Sequence, residues 1–143
     1  MELPLKKNIL NLNEIEEIAY ALSKKFSEGD VVILNGTLGS GKTTLIKLIC
    51  KNYSIFEVNS PSFSLVNEYN GEKKVYHFDF YRLEKIEELY DIGFEDYLND
   101  NQAIIFIEWG NLMEQILPKN RYEINIELLD EEKRILKIHS LNK

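Results

Sequence analysis

The sequence is short of cysteine, proline and positive charge, and it has no long apolar run; each shortage removes a class of protein. Its one cysteine, Cys50, permits no intrachain disulfide, so a stapled secreted scaffold is excluded and the thiol reads as a small buried hydrophobe. No segment approaches the roughly 20 apolar residues of a membrane span, and the opening stretch from Met1 to Lys7 holds no apolar run of signal-peptide length. The expectation is a soluble cytoplasmic protein with no membrane partner. The 3 prolines (Pro4, Pro61, Pro118) stand singly, and no repeat, low-complexity tract or linker divides the chain. With 17 Lys and Arg against 24 Asp and Glu the net charge is −7, whereas a protein that holds RNA or DNA by phosphate neutralisation is normally basic. Direct, tight nucleic-acid binding is therefore disfavoured. The 143 residues suffice for one core and leave no room for a second catalytic domain, so a single domain over 1–143 is expected.

The patterning that is present reads as α/β. Ile15, Ile18, Ala19, Leu22 and Phe26 recur at helical spacing behind a capping pair, Asn13 and Glu16, with Gly29 as a stop. Val31 to Leu34 is a short apolar run, the signature of a strand buried on both faces of a parallel sheet. A glycine-rich loop follows, then a helical segment from Thr44 to Lys51. Ser64 to Tyr69 and Lys74 to Tyr81 read as an antiparallel hairpin around Asn70 and Gly71, a dipeptide suited to positive backbone angles. Leu83 to Leu98 has helical spacing divided at Gly93, Ala103 to Ile107 is a second buried strand, and Tyr122 to Leu129 with Arg134 to His139 form a closing hairpin at the sheet edge. The fold class expected is a P-loop NTPase-type three-layer sandwich, a mixed sheet with parallel core and antiparallel hairpins.

Gly36 to Thr43 satisfies G-x-x-x-x-G-K-S/T. The spacing has a physical reason. Gly36, Gly39 and Gly41 let the backbone fold around an anion, with Ser40 in the same arc. Lys42 adds a point charge for the β- and γ-phosphates, the Thr43 hydroxyl can ligate Mg²⁺, and Thr44 opens the helix whose positive end faces the same phosphates. A chance match in a chain this long is on the order of half a per cent. The implied ligand is ATP with Mg²⁺, and the absence of a guanine-reading N-K-x-D pattern favours ATP over GTP. Such a loop needs an acid beyond the metal, and Glu108, at the end of the second buried strand, stands where it belongs. Trp109 beside it reads as core or rim packing. The stretch Ser60 to Ser64 reads either as a turn that starts a strand or as a loop whose hydroxyl, Ser60 or Ser62, senses the γ-phosphate. Strand alternation puts His77, Asp79 and Tyr81 on one face and Tyr76, Phe78 and Phe80 on the other. An Asp among aromatics needs a partner or a task, so Asp79 is a candidate base or metal neighbour, whereas His77 reads as a hydrogen-bonded structural histidine.

Taken together, GTLGSGKTT, SPSFSLVNEY, YHFDFYRL with ELYDIGFEDYL after it, and IEW resemble the TsaE (YjeE) family of small bacterial P-loop ATPases of tRNA threonylcarbamoyladenosine biosynthesis. The resemblance runs from about residue 13 to 110. It implies that Lys42 and Thr43 bind phosphate and Mg²⁺, that Glu108 stands on the metal, and that Ser62 and Asp79 serve hydrolysis. Ser62 departs from the threonine usual in the family but keeps the hydroxyl, and Gly110 and Asn111 after Trp109 are a local difference. The resemblance also implies partners similar to TsaD and TsaB, with tRNA engaged indirectly through their complex. Two other readings compete: a non-hydrolytic module whose ATP state controls assembly, and a small-molecule kinase, against which the lack of an arginine-bearing lid segment counts.

Overall fold

The structure, a computed structural model, describes residues 1–61 and 64–142. Seven strands form one sheet in the order β1-β7-β6-β2-β5-β4-β3, where β1 is Leu5–Ile9, β2 Val31–Gly36, β3 Val66–Asn70, β4 Lys74–Asp79, β5 Ala103–Glu108, β6 Arg121–Leu128 and β7 Arg134–Leu141. The central strands β6, β2, β5 and β4 run parallel to their neighbours, and β3 and β7 flank them antiparallel. Strand β5 is buried at every position, as its unbroken apolar run requires of a parallel core strand.

Alternation splits these strands between two cores. Val32, Leu34, Ile104, Phe106, Ile124 and Ile138 face the helices α1 (Leu12–Lys25) and α2 (Lys42–Lys51). Val31, Ile33, Ile105, Ile107, Tyr76 and Phe78 face the other layer, built on α3 (Glu87–Asp91), α4 (Phe94–Leu98) and 3₁₀ segments at Phe80–Arg82 and Gly110–Ile116. Helix, sheet and helix make the expected three-layer sandwich. The division of α3 from α4 at Gly93 is also as expected, with Gly93 at φ 74°.

Four expectations are corrected. The first helix is capped by Asn11 rather than Asn13: its side chain accepts the Glu14 N–H at 3.0 Å, and the Glu14 carboxylate returns to the Leu10 N–H. Strand β1 has no counterpart in the sequence reading, because only Ile9 of its five residues is buried and the polar Lys6, Lys7 and Asn8 obscure its alternation. It pairs with β7 and takes the edge, so the closing hairpin lies inside the sheet, with β6 parallel to β2. The turn of the first hairpin needs Gly71 for space rather than for a positive angle, since a Cβ there would lie 2.3 Å from Tyr53 O.

Candidate functional site

Three chain segments meet at the carboxyl ends of β2, β5 and β4. Helix α2 begins directly after the loop that leaves β2, through Gly41 at φ 109°, a conformation that a side chain resists. Gly36 is equally constrained, for a Cβ there would lie 2.6 Å from Ser40 Oγ and 2.7 Å from Ile126 O. The Ser40 hydroxyl is buried and without a hydrogen-bond partner among the described residues. Arg134, at the start of β7, donates through Nε to Ser40 O at 2.7 Å and so braces the loop. Nothing in the sequence pointed to Arg134, which is 94 residues from the loop it holds.

Lys42 is 4% exposed. Its ammonium donates to Gly36 O at 2.8 Å and Thr37 O at 3.0 Å, and lies 4.2 Å from the centroid of the Trp109 ring. Burial draws its pKa below the usual lysine range, opposed by the negative charges of Glu108 and Asp79. Trp109 therefore does more than pack: it covers the loop lysine with a cation–π contact and leans on Tyr81, whose ring is 4.9 Å away. Its backbone is left-handed at φ 61°, a costly conformation for a bulky residue. The following Gly110 is explained by space, since a Cβ there would lie 2.5 Å from Ile33 Cγ2.

The parallel register sets Leu34 opposite Glu108 and Glu108 opposite Asp79, so both acids stand beside the loop. The Thr43 hydroxyl lies 2.9 and 2.8 Å from the two oxygens of Glu108, and Ser60 Oγ lies 3.0 Å from the same hydroxyl. His77, fully buried, reaches Glu108 Oε2 through Nε2 at 2.6 Å. Among the described residues no group of three or more His, Cys, Asp or Glu is arranged to hold a metal unaided. One hydroxyl and one carboxylate side by side instead fit Mg²⁺, which takes hard oxygen ligands and completes its shell with phosphates and water. Lys42, Thr43, Ser60, Asp79, Glu108 and Trp109 line one cleft of about 380 Å³, joined by Leu38, Tyr81 and Arg82. Ser62 lies outside the described residues.

Asp79 is half-buried, and its Oδ1 accepts the Tyr81 N–H at 3.0 Å. Desolvation raises its pKa, with the charge of Glu108 acting in the same direction. A carboxyl whose native pKa is raised carries a penalty above that pKa, where it must ionise in place; the penalty is gone below the unfolded value, where both states are protonated. Asp79→Asn, which can still accept the Tyr81 N–H, is therefore expected to raise the melting temperature at pH 7 by a few degrees at most, since half-exposure screens the penalty. The gain should shrink as pH falls toward the ordinary aspartate range. Melting curves of both proteins from pH 7 to pH 4 check this, and an asparagine variant that melts lower at neutral pH contradicts it.

The sheet order, the loop and the strand-end acids define a P-loop NTPase-type α/β protein. A family model described as "Threonylcarbamoyl adenosine biosynthesis protein TsaE" matches residues 9–136. The chain belongs to the TsaE family, whose role lies in the biosynthesis of threonylcarbamoyladenosine in tRNA. Curated relatives named "tRNA threonylcarbamoyladenosine biosynthesis protein TsaE" include one from Rickettsia felis, 39% identical over 131 residues (90% of this chain, 75% of the relative). Another, from Bacillus subtilis, is 37% identical over 132 residues (91% and 82%). Among solved structures, the crystal structure of YdiB from Bacillus subtilis superposes with a TM-score of 0.78 at 29% identity, covering 96% of this chain and 86% of that one. Among the described residues no helix is long and apolar enough to cross a membrane.

Proposed function

We propose that this chain binds ATP with Mg²⁺ on the Gly36–Thr43 loop and hydrolyses it, in the service of threonylcarbamoyladenosine modification of tRNA and together with TsaD-like and TsaB-like proteins. The observation that carries the reading is the meeting of Thr43 and Glu108 beside the buried Lys42, at 2.8 and 2.9 Å. Gly36, Gly39, Ser40 and Gly41 supply the backbone cradle, Lys42 the fixed positive charge, and Thr43 with Glu108 the oxygen ligands for Mg²⁺. Bound there, Mg²⁺ supplies charge neutralisation of phosphate oxygens. Both carboxylate oxygens of Glu108 are engaged, by Thr43 and His77, whereas Asp79 Oδ2 has no hydrogen-bond partner among the described residues. The division of labour that follows gives Glu108 the metal and Asp79 the orientation of the attacking water.

A second cavity of about 350 Å³ supports the choice of a nucleotide over a bare phosphate. It shares Gly41 and Thr44 with the first, so a ligand can run from one to the other along the start of α2. Ile9, Leu12 and Ile15 give it apolar walls and Glu132 and Arg134 a polar rim, the balance that a planar heterocycle needs. The missed strand β1 and the displaced Asn11 cap both contribute to this pocket, which is why a base site was illegible in the sequence.

Lys42→Ala tests the reading. Losing a charged hydrogen bond of about 3 kcal/mol to the phosphates is expected to weaken ATP binding by roughly two orders of magnitude. The fold should survive, because Arg134 and the bonds Ser40 N to Thr37 O and Leu45 N to Gly41 O still hold the loop. Titration calorimetry reads the affinity, and the single tryptophan, Trp109, reports binding by fluorescence. Wild-type affinity in the alanine variant would remove the phosphate site from Lys42.

A further inference from the structure

The hydrogen bonds around Glu108 close into a ring that extends beyond the phosphate-binding residues. His77 Nε2 meets Glu108 Oε2 at 2.6 Å, and its Nδ1 meets Tyr69 Oη at 3.0 Å. On the neighbouring strand Tyr69 Oη, which has one proton to give either to His77 Nδ1 or to Asn59 O, lies 2.8 Å from that carbonyl, and the Asn67 amide donates to the same carbonyl at 2.9 Å. The next residue, Ser60, meets Thr43 Oγ1 at 3.0 Å, and Thr43 returns to Glu108 at 2.8 Å. The direction of the bonds follows from the protons available. Thr43 has one proton and spends it on Glu108, so Ser60 donates to Thr43; a carboxylate at Glu108 then takes a second donor, the Nε2–H of His77.

We propose that His77 and Tyr69 are positioning residues that set the direction in which Glu108 presents its carboxylate and couple it to the segment Asn59–Ser60. This rests on the ATP–Mg²⁺ reading of the cleft. The terminal torsion of a glutamate is soft, so Glu108 on its own strand end has no fixed orientation. Contacts on both sides remove that freedom: Thr43 from α2 and His77 from β4. Tyr69 in turn fixes the imidazole, and Tyr69 and Asn67 grip Asn59, so a shift of that segment reaches Glu108 by two routes, through Ser60 and Thr43 and through Tyr69 and His77. Folding alone does not require this arrangement, because well-packed apolar groups serve a buried core as well as a polar pair does. Outer partners of metal ligands typically govern affinity by about 10- to 100-fold.

The test compares His77→Leu, which keeps the bulk and loses the donor, with His77→Gln, which keeps an N–H close to the position of Nε2, and with Tyr69→Phe, which loses one oxygen. Mg²⁺ is titrated against a fixed concentration of ATP, read by Trp109 fluorescence and by Mn²⁺ paramagnetic resonance. In His77→Leu the metal concentration at half-saturation should rise by about 10- to 100-fold. It should fall back toward wild type in His77→Gln and rise less steeply in Tyr69→Phe, with ATP affinity in excess chelator unchanged throughout. Equal impairment of the leucine and glutamine variants, or wild-type metal dependence in both His77→Leu and Tyr69→Phe, overturns the proposal. Glu108→Gln serves as the control: a metal dependence that it leaves intact refutes the Mg²⁺ reading of Glu108 itself, whereas one that it abolishes and the other variants spare refutes only the positioning roles. Nitrogen NMR of the nucleotide-free protein gives a readout without ligand. A slowly exchanging, downfield His77 Nε2–H resonance that moves upfield in Glu108→Gln supports the ring, and its absence from the wild type counts against it. Tyr69→Phe keeps its ring against His77, so the question stays open to experiment should His77→Leu fail to fold.

Discussion

Glu108→Gln is expected to lower Mg²⁺-dependent ATP turnover by about two to three orders of magnitude, the usual cost of removing one fixed electrostatic group from a reacting centre. Affinity for ATP in chelator should hardly change, because the loop N–H groups and Lys42 remain. The choice of glutamine matters. Glu108 is 3% exposed and bonded to both Thr43 and His77, so alanine would leave the buried His77 Nε2 without its partner, at about 1–3 kcal/mol. Glutamine keeps the volume, an acceptor for His77 and a contact for Thr43, and removes the charge. Single-turnover phosphate release, run beside a binding titration, separates the two effects. Turnover at the wild-type rate would reduce Glu108 to a strand-end acid.

The site was legible where chemistry is written in consecutive residues. Gly36 to Thr44 carries its own spacing, Val31 to Leu34 and Ala103 to Ile107 are apolar without interruption, and Glu108 follows the second of these strands at once. Simple alternation was enough to put His77 and Asp79 on the Glu108 side of the sheet. What the sequence hid depends on pairings across long separations. Arg134 reaches the loop only because β7 enters the sheet beside β6, and β6 lies against β2, the strand that launches the loop. Strand β1 hides its pattern because its edge position buries little. The burial of the loop lysine was also hidden, because Trp109 covers it by adopting a left-handed backbone that no local signal announces. The ring through Tyr69 and His77 likewise joins β3, β4 and β5 with the segment before β3, and each member read alone is an ordinary polar residue.

The pure protein is expected to hydrolyse ATP slowly, and a complex of TsaD-like and TsaB-like proteins to accelerate it. The reason is charge. Phosphoryl transfer in P-loop proteins relies on positive groups set against the transition state, and an arginine supplied by a partner adds roughly three to five orders of magnitude. Within the chain Lys42 is the one lysine or arginine in the loop, and Arg134 has its Nε committed to Ser40 O. Arg82 lines the cleft alongside Asp79 and Tyr81, which makes it the arginine to test in cis. Leu38 and Tyr81, 70% and 51% exposed, give the cleft an apolar rim suited to docking by a protein. Bare tRNA is a poorer match, since a chain of net charge −7 repels its phosphates at low salt. The measurement is steady-state phosphate release by the pure chain, by the partner complex and by the mixture, with and without tRNA, repeated with Arg82→Ala. Slow turnover alone and a large gain in the mixture that survives Arg82→Ala place the missing charge on a partner. A gain that disappears with Arg82 makes docking a device for aiming the chain's own arginine. Fast turnover by the pure protein, indifferent to partners, would mean a self-contained ATPase, and phosphate release in none of the mixtures would favour an ATP-dependent assembly module.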